Sequence, residues 1–180
     1  TGYSGGRLWA SNLFGGFGGY GTWSELTSYT GTWYNGSISN DGQFQIAANT
    51  TGLYMSYDYG KYYKYNYYGN CAASAMSRNG AYVIASNNYV KISVSSNYGG
   101  TWTDITSLNS SNYYDAAISS NGNYMLICAG SNVYNSTDYG VNFNMISTAN
   151  LPNSTYSACA ISSTGQYQTV GQNTAGGYVY

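Results

Sequence analysis

The chain has 180 residues, enough for one domain with a real core, and a net charge of −1 with only 6% charged residues, against roughly 25% in an ordinary soluble domain. No basic surplus exists to mark a nucleic-acid or polybasic membrane face. Histidine is absent, which excludes Ser-His-Asp and Cys-His catalysis, while 18% aromatic and 43% hydrophobic residues exclude low-complexity disorder.

In chain order, a strand is expected over 7–11. A degenerate turn motif follows, starting at Ser11, keeping Gly15 and closing at Trp23, with a further strand over 23–26. Ile38-Ser39-Asn40-Asp41-Gly42-Gln43-Phe44 then reads as a tight turn between two strands, because Asp-Gly and Asn-Gly tolerate positive φ. The same pattern returns as Met76-Ser77-Arg78-Asn79-Gly80-Ala81-Tyr82, as Ile118-Ser119-Ser120-Asn121-Gly122-Asn123-Tyr124 and as Ile161-Ser162-Ser163-Thr164-Gly165-Gln166-Tyr167.

A second motif alternates with the first. It reads Ser56-Tyr57-Asp58-Tyr59-Gly60-Lys61-Tyr62-Tyr63, then Ser95-Ser96-Asn97-Tyr98-Gly99-Gly100-Thr101-Trp102, then Ser136-Thr137-Asp138-Tyr139-Gly140-Val141-Asn142-Phe143, at spacings of 39 and 41 residues. Between the motifs, 82–85 is a continuous apolar run, expected of a strand buried on both faces. Val90, Ile92 and Val94 alternate with Lys91, Ser93 and Ser95, the period of a half-buried strand. No window carries a helical period. Units of about 40 residues with four short strands have the size of a propeller blade. The expected fold is therefore all-β, with about four four-stranded antiparallel blades and a terminal blade split between the two ends. The divisions fall at 1–36 (partial), 37–76, 77–118, 119–161 and 162–180 (partial).

Ser-x-Asp-x-Gly-x-x-Trp resembles the Asp-box, or BNR, repeat of sialidase-like β-propellers. The companion turn is similar to those of long repeat arrays on bacterial, algal and viral surface proteins. The likeness covers nearly the whole chain, although Asn97 stands for Asp in one box and Tyr63 and Phe143 for Trp in two. The resemblance implies a structural hairpin. Ser56, Ser95 and Ser136 open it, Asp58, Asn97 and Asp138 bond turn amides, Gly60, Gly99 and Gly140 take positive φ, and Tyr63, Trp102 and Phe143 plug the gap to neighbouring strands. It does not carry over the chemistry of sialidases, which use three arginines, a Tyr-Glu pair and an acid/base Asp. This chain holds only Arg7, Arg78 and one glutamate, Glu25. Glu25 and Asp104 each follow a box aromatic by two positions, so they are equivalent residues of different blades and not a converging pair. No catalytic residue, cofactor or metal is expected, since Asp58 and Asp138 each lack a second nearby carboxylate for a calcium cage.

Cys71, Cys128 and Cys159 show no CxxC spacing, and both one disulfide with a thiol and three buried thiols stay open. Sequons stand at Asn35, Asn49, Asn109, Asn135 and Asn153, a number that the Asn, Ser and Thr content alone predicts and so no evidence of glycosylation; in a glycosylating cell Asn49, Asn109 and Asn153, expected in loops, are the better sites. Tyrosines crowd 57–68, with about half expected outward, where they suit sugar stacking or a protein interface. No apolar run of about 20 residues suggests a membrane helix. Thr1 is not an initiator Met, so either a leading segment was removed or the chain is part of a longer one.

The terminal segments are complementary. Residues 156–162, 166–172 and 176–180 supply two strands and the start of a third, and the N-terminus supplies a third and a fourth. The expectation is a non-catalytic structural or adhesive protein of an extracellular, cell-surface or virion-surface setting. It would self-assemble head to tail into a fibre through those strands. The alternatives are a carbohydrate-binding propeller with glycans as partners, or a fragment of a larger sialidase-like protein.

Overall fold

The computed structural model describes residues 6–11, 23–87, 90–108, 112–146 and 151–180. Among these residues the chain is all strand and turn, with no helix and hence none long and apolar enough to cross a membrane. Sixteen strands are described: β1 (Gly6–Ser11), β2 (Trp23–Gly31), β3 (Trp33–Ile38), β4 (Gln45–Asn49), β5 (Gly52–Ser56), β6 (Lys64–Tyr68), β7 (Ser74–Met76), β8 (Val83–Asn87), β9 (Lys91–Ser95), β10 (Thr103–Ile105), β11 (Asp115–Ile118), β12 (Met125–Ala129), β13 (Asn132–Ser136), β14 (Asn144–Met145), β15 (Tyr156–Ile161) and β16 (Gln168–Gln172).

They form three complete antiparallel meanders, β3-β4-β5-β6, β7-β8-β9-β10 and β11-β12-β13-β14, flanked by the two-stranded sheets β1-β2 and β15-β16. The first strands β3, β7, β11 and β15 run beside one another, so the sheets stack in chain order. The degenerate box after Ser11 falls outside the described residues.

The core lies between sheets and not within any one of them. Strand alternation sends Val83 and Ala85 of β8 toward Ile46, Leu53 and Met55 of the first sheet, while Ile84 faces Met125 and Ile127 of the third. On β12, Leu126 and Cys128 turn instead to Tyr156 and Val170 of the C-terminal pair. A middle sheet is thus apolar on both faces, which is why β8 reads as an unbroken apolar run. Each large side chain buried this way contributes about 1.5–3 kcal/mol.

Strand β9 departs from its sequence pattern. Val90 lies outside the strand and is exposed, while Ser93 and Ser95 are as buried as Ile92 and Val94. The serine face is inside because its hydroxyls have partners. Ser93 Oγ donates to Asp104 at 2.6 Å and meets the Tyr67 hydroxyl of the preceding sheet at 2.5 Å, and Ser95 Oγ belongs to a turn described below. Alternation of polar and apolar residues signals a half-buried strand only when the polar side has no buried hydrogen-bond partner.

The two terminal sheets are each an antiparallel pair. In β1-β2, Trp9 opposes Glu25 and Ala10 opposes Ser24, as Tyr54 opposes Tyr65 and Met55 opposes Lys64 in β5-β6. Tyr29 of β2 bonds to Tyr63 just before β6, the last strand of the first complete sheet, which places the pair toward that sheet's outer side. Strands β15 and β16 are an inner half, and residues 178–180 start its third strand. Val179 bridges Gly171, and Tyr180 and Val170 exchange backbone hydrogen bonds at 2.9 Å, as Tyr54 opposes Ala47 in the first sheet.

Candidate functional site

The three box turns share one hydrogen-bond pattern. Ser56 Oγ accepts the Gly60 N–H at 2.9 Å and donates to Asp58 at 2.8 Å, and Asp58 accepts the Tyr62 N–H at 3.0 Å. In the second turn Ser95 accepts from Gly99 at 2.9 Å and donates to Asn97 at 3.0 Å, and Asn97 accepts from Thr101 N–H at 2.8 Å. In the third, Ser136 accepts from Gly140 at 3.0 Å and donates to Asp138 at 2.8 Å, and Asp138 accepts from Asn142 N–H at 2.9 Å. Asn97 replaces Asp at no loss of geometry because the turn uses one acceptor oxygen, and an amide carbonyl supplies it.

These contacts fix the electrostatics. Burial pushes the Asp58 carboxyl up, but the Tyr62 amide, the Ser56 hydroxyl and the Lys61 amide and charge outweigh it and leave it below the usual range. The amide and side chain of Asn142 hold Asp138 low, and the Ser39 hydroxyl and Gln43 amide do the same for Asp41. Asp104 is held low by an ion pair with Lys91 and by Ser93. Asp115 moves the other way, pushed up by burial although it accepts the Cys159 and Ala116 amides. Each of the five aspartates thus has identified hydrogen-bonding partners. Glu25 lies on β2 and Asp104 on β10, outer strands of different sheets.

The box aromatics reach across to the preceding sheet. The Trp102 ring lies 4.6 Å from that of Tyr67 and its Nε1–H donates to Asn66 at 3.0 Å. Phe143 is buried beside Ile105 and Leu108. Tyr63 is buried, its hydroxyl pushed up to about 12 mainly by that burial, and its N–H donates at 3.0 Å to the hydroxyl of Tyr29 on β2. Tyr29 donates in turn to the Tyr63 carbonyl at 2.6 Å, which ties the N-terminal sheet to the first complete one.

The box motif as read from the sequence gives no role to the residue before its glycine. The residue before each box glycine is a tyrosine in left-handed conformation, with φ of 64° at Tyr59, 58° at Tyr98 and 63° at Tyr139. Such a backbone costs about 1–2 kcal/mol for an L-residue. The return is a ring contact with the sheet before. Tyr98 packs on Phe44 at 4.7 Å and Tyr139 stacks on Tyr82 at 5.1 Å. The signal was present, since all three boxes read Tyr-Gly at this point.

The first-motif turns are equally uniform. Ser39, Ser77, Ser119 and Ser162 each accept the amide of the closing aromatic at 2.9–3.0 Å. Successive turns are joined through the main chain: Asn40 N–H donates to the Arg78 carbonyl at 2.7 Å, Arg78 to Ser120 at 3.1 Å and Ser120 to Ser163 at 3.0 Å. A cleft of ≈ 550 Å³ between β10 and the third box is lined by Tyr82, Asp104, Asp138 and Tyr139.

The candidate glycosylation sites separate. Asn153 is exposed at a bend. Asn49, expected in a loop, is instead the fully buried last residue of β4, its Oδ1 accepting the Thr51 and Gly52 amides. Asn35 donates through Nδ2 to the Ser74 carbonyl at 2.9 Å, Asn135 lies within β13, and Asn109 falls outside the described residues. Of the tyrosines over 57–68, Tyr57, Tyr59 and Tyr62 are exposed and Tyr63 is buried. Cys71, Cys128 and Cys159 are free thiols.

No family model matches the chain and no curated protein does. Solved structures match in fold. The GH74 enzyme of Niastella koreensis is 16% identical with a TM-score of 0.63, over 89% of this chain and 26% of that one. The GH74 xyloglucanase of Xanthomonas campestris is 13% identical with a TM-score of 0.65, over 89% and 31%. YCF48 bound to D1 peptide is 14% identical with a TM-score of 0.56, over 81% and 51%. The fold is that of β-propeller-type blades. The chain spans about a quarter to a third of those two GH74 enzymes and about half of YCF48, and identities this low speak for the fold alone.

Proposed function

We propose that this chain is a non-catalytic, architectural repeat protein of the Asp-box kind, built into an extracellular or virion surface by head-to-tail assembly of its copies. The observation that carries the reading is the pair of half-sheets: an inner half, β15-β16, at one end of the stack and an outer half, β1-β2, at the other. They are separate sheets of two strands each, which together supply the four strands of one blade. Unpaired strand edges are resolved by pairing, and a heterologous contact of this kind repeats into a ring or a filament. Low charge removes the repulsion that would hold copies apart. Against a catalytic role stand the five aspartates, all engaged by turn amides, strand amides or Lys91.

Electron microscopy of the native material tests this. Fibres with a regular axial repeat support it. Particles that remain single chains at all concentrations overturn it. Isolated discs direct the search to glycan ligands, with the cleft beside Tyr82 and Tyr139 as the first candidate. A second reading, in which these residues form part of a longer propeller protein, is supported by the 26–31% of the two GH74 chains that they span. A longer open reading frame with further boxes would favour that reading.

A further inference from the structure

The joint between successive sheets follows one rule. The glycine of each later first-motif turn rests on the aromatic ring that closes the earlier one. A Cβ on Gly80 would come 2.7 Å from Phe44, on Gly122 2.3 Å from Tyr82, and on Gly165 2.1 Å from Tyr124. The box tyrosine of the later sheet covers the same ring, as Tyr98 covers Phe44 and Tyr139 covers Tyr82. A main-chain bond joins the two turns each time.

At the ends of the stack the rule is half fulfilled. Tyr167, the closing aromatic of the last turn, is 70% exposed, and the Ser163 N–H has no partner among the described residues. At the opposite end, a Cβ on Gly42 would meet only Ile38 and the ring edge of Tyr59, both of its own sheet, at 3.8 and 3.9 Å, so among the described residues no closing aromatic of an earlier turn lies on this glycine. The Asn40 carbonyl likewise accepts no hydrogen bond there. Among the described residues, what each end lacks is what the other end presents.

We infer that the partner is a second copy of this chain, with Tyr167 of one copy seated on Gly42 and beside Tyr59 of the next, and the Ser163 N–H of the first donating to the Asn40 carbonyl of the second. This rests on the self-assembly reading and names its contact. The second copy's β1-β2, held to its own first sheet through Tyr29, then completes the blade begun by β15-β16. Strand β1 and residues 178–180 both carry third-strand register, so docking displaces 178–180 from β16.

The test compares Tyr167→Ser and Tyr167→Phe with the unmodified chain by sedimentation and electron microscopy. Because Tyr167 is exposed, neither change disturbs the fold of one copy. The serine variant is expected to need about 10- to 100-fold higher concentration to assemble, and the phenylalanine variant to assemble as the wild type does. A second measurement places cysteines by Asn40→Cys in one preparation and Ser163→Cys in another. A short bis-maleimide then links the two preparations when mixed. Fibres or rings that persist in Tyr167→Ser, with no 40–163 link, overturn this contact and leave self-assembly standing. A wild type that stays monomeric overturns both.

Discussion

The ring of Tyr139 lies on that of Tyr82 with centroids 5.1 Å apart and planes at 30°, although Tyr139 must hold φ at 63° to place it there. A backbone cost and a contact between sheets are thus built into one residue. A double-mutant cycle with Tyr82→Ala and Tyr139→Ala is expected to give a coupling of about 0.5–1.5 kcal/mol in urea unfolding. Independent effects of the two changes would show that the stack contributes nothing.

Gly122 and Gly130 separate backbone strain from crowding. Both have positive φ, 84° and 61°, but a Cβ on Gly130 meets nothing within 4 Å, whereas one on Gly122 would strike Tyr82. Gly130→Ala is expected to lower stability by about 1 kcal/mol and Gly122→Ala by several, since overpacking adds about 1–3 kcal/mol. Equal losses in thermal melts would mean that the joint between sheets two and three is loose.

Acid should weaken the boxes unequally. A carboxylate whose pKa is lower in the folded chain adds stability that is complete above its unfolded value and is lost as pH falls through the folded one. Asp58 and Asp138 are of this kind, whereas Asn97 does not titrate. The double variant Asp58→Asn, Asp138→Asn is therefore expected to lose less stability below about pH 4 than the wild type. Asp115, raised by burial, works in the opposite sense: the stability it adds is complete below its unfolded value and is lost as pH rises through the raised folded one. Asp115→Asn should remove that slope. Stability curves from pH 2 to 7 check both.

Expression in a glycosylating cell should modify Asn153 and leave Asn49 bare, because the Asn49 side chain is buried and its Oδ1 bonds two amides. Peptide mass spectrometry decides it, and a glycan on Asn49 would show that the first sheet opens before it is modified.

Cys71 should resist alkylation in the native chain, its thiol buried and pushed up to about 12 by that burial. Rapid labelling of Cys71 with iodoacetamide at neutral pH would show that the first and second sheets separate readily.

Much of the blade was legible because its turns are local. Ser-x-Asx-Gly and Ser-x-Asx-x-Gly encode hydrogen bonds spanning two to five residues, and the structure draws them as their spacing implies. What lay between blades was not. Ser93 and Ser95 look like a solvent face until Asp104 and Tyr67 are placed beside Ser93 and the box turn folds over Ser95. Asn49 looks like a loop residue until Thr51 and Gly52 turn back on it. The tyrosine before each box glycine reads as decoration in one dimension, because the rings covered by Tyr98 and Tyr139 lie 54 and 57 residues earlier in the chain.

The ladder through Asn40, Arg78, Ser120 and Ser163 uses only N–H and carbonyl groups. Its four side chains, one amide, one cation and two hydroxyls, are irrelevant to the joint they stand on. Along this rim the molecule has a row of mounting points, one for each turn, whose chemistry can drift, or be rewritten, while the frame beneath keeps its shape.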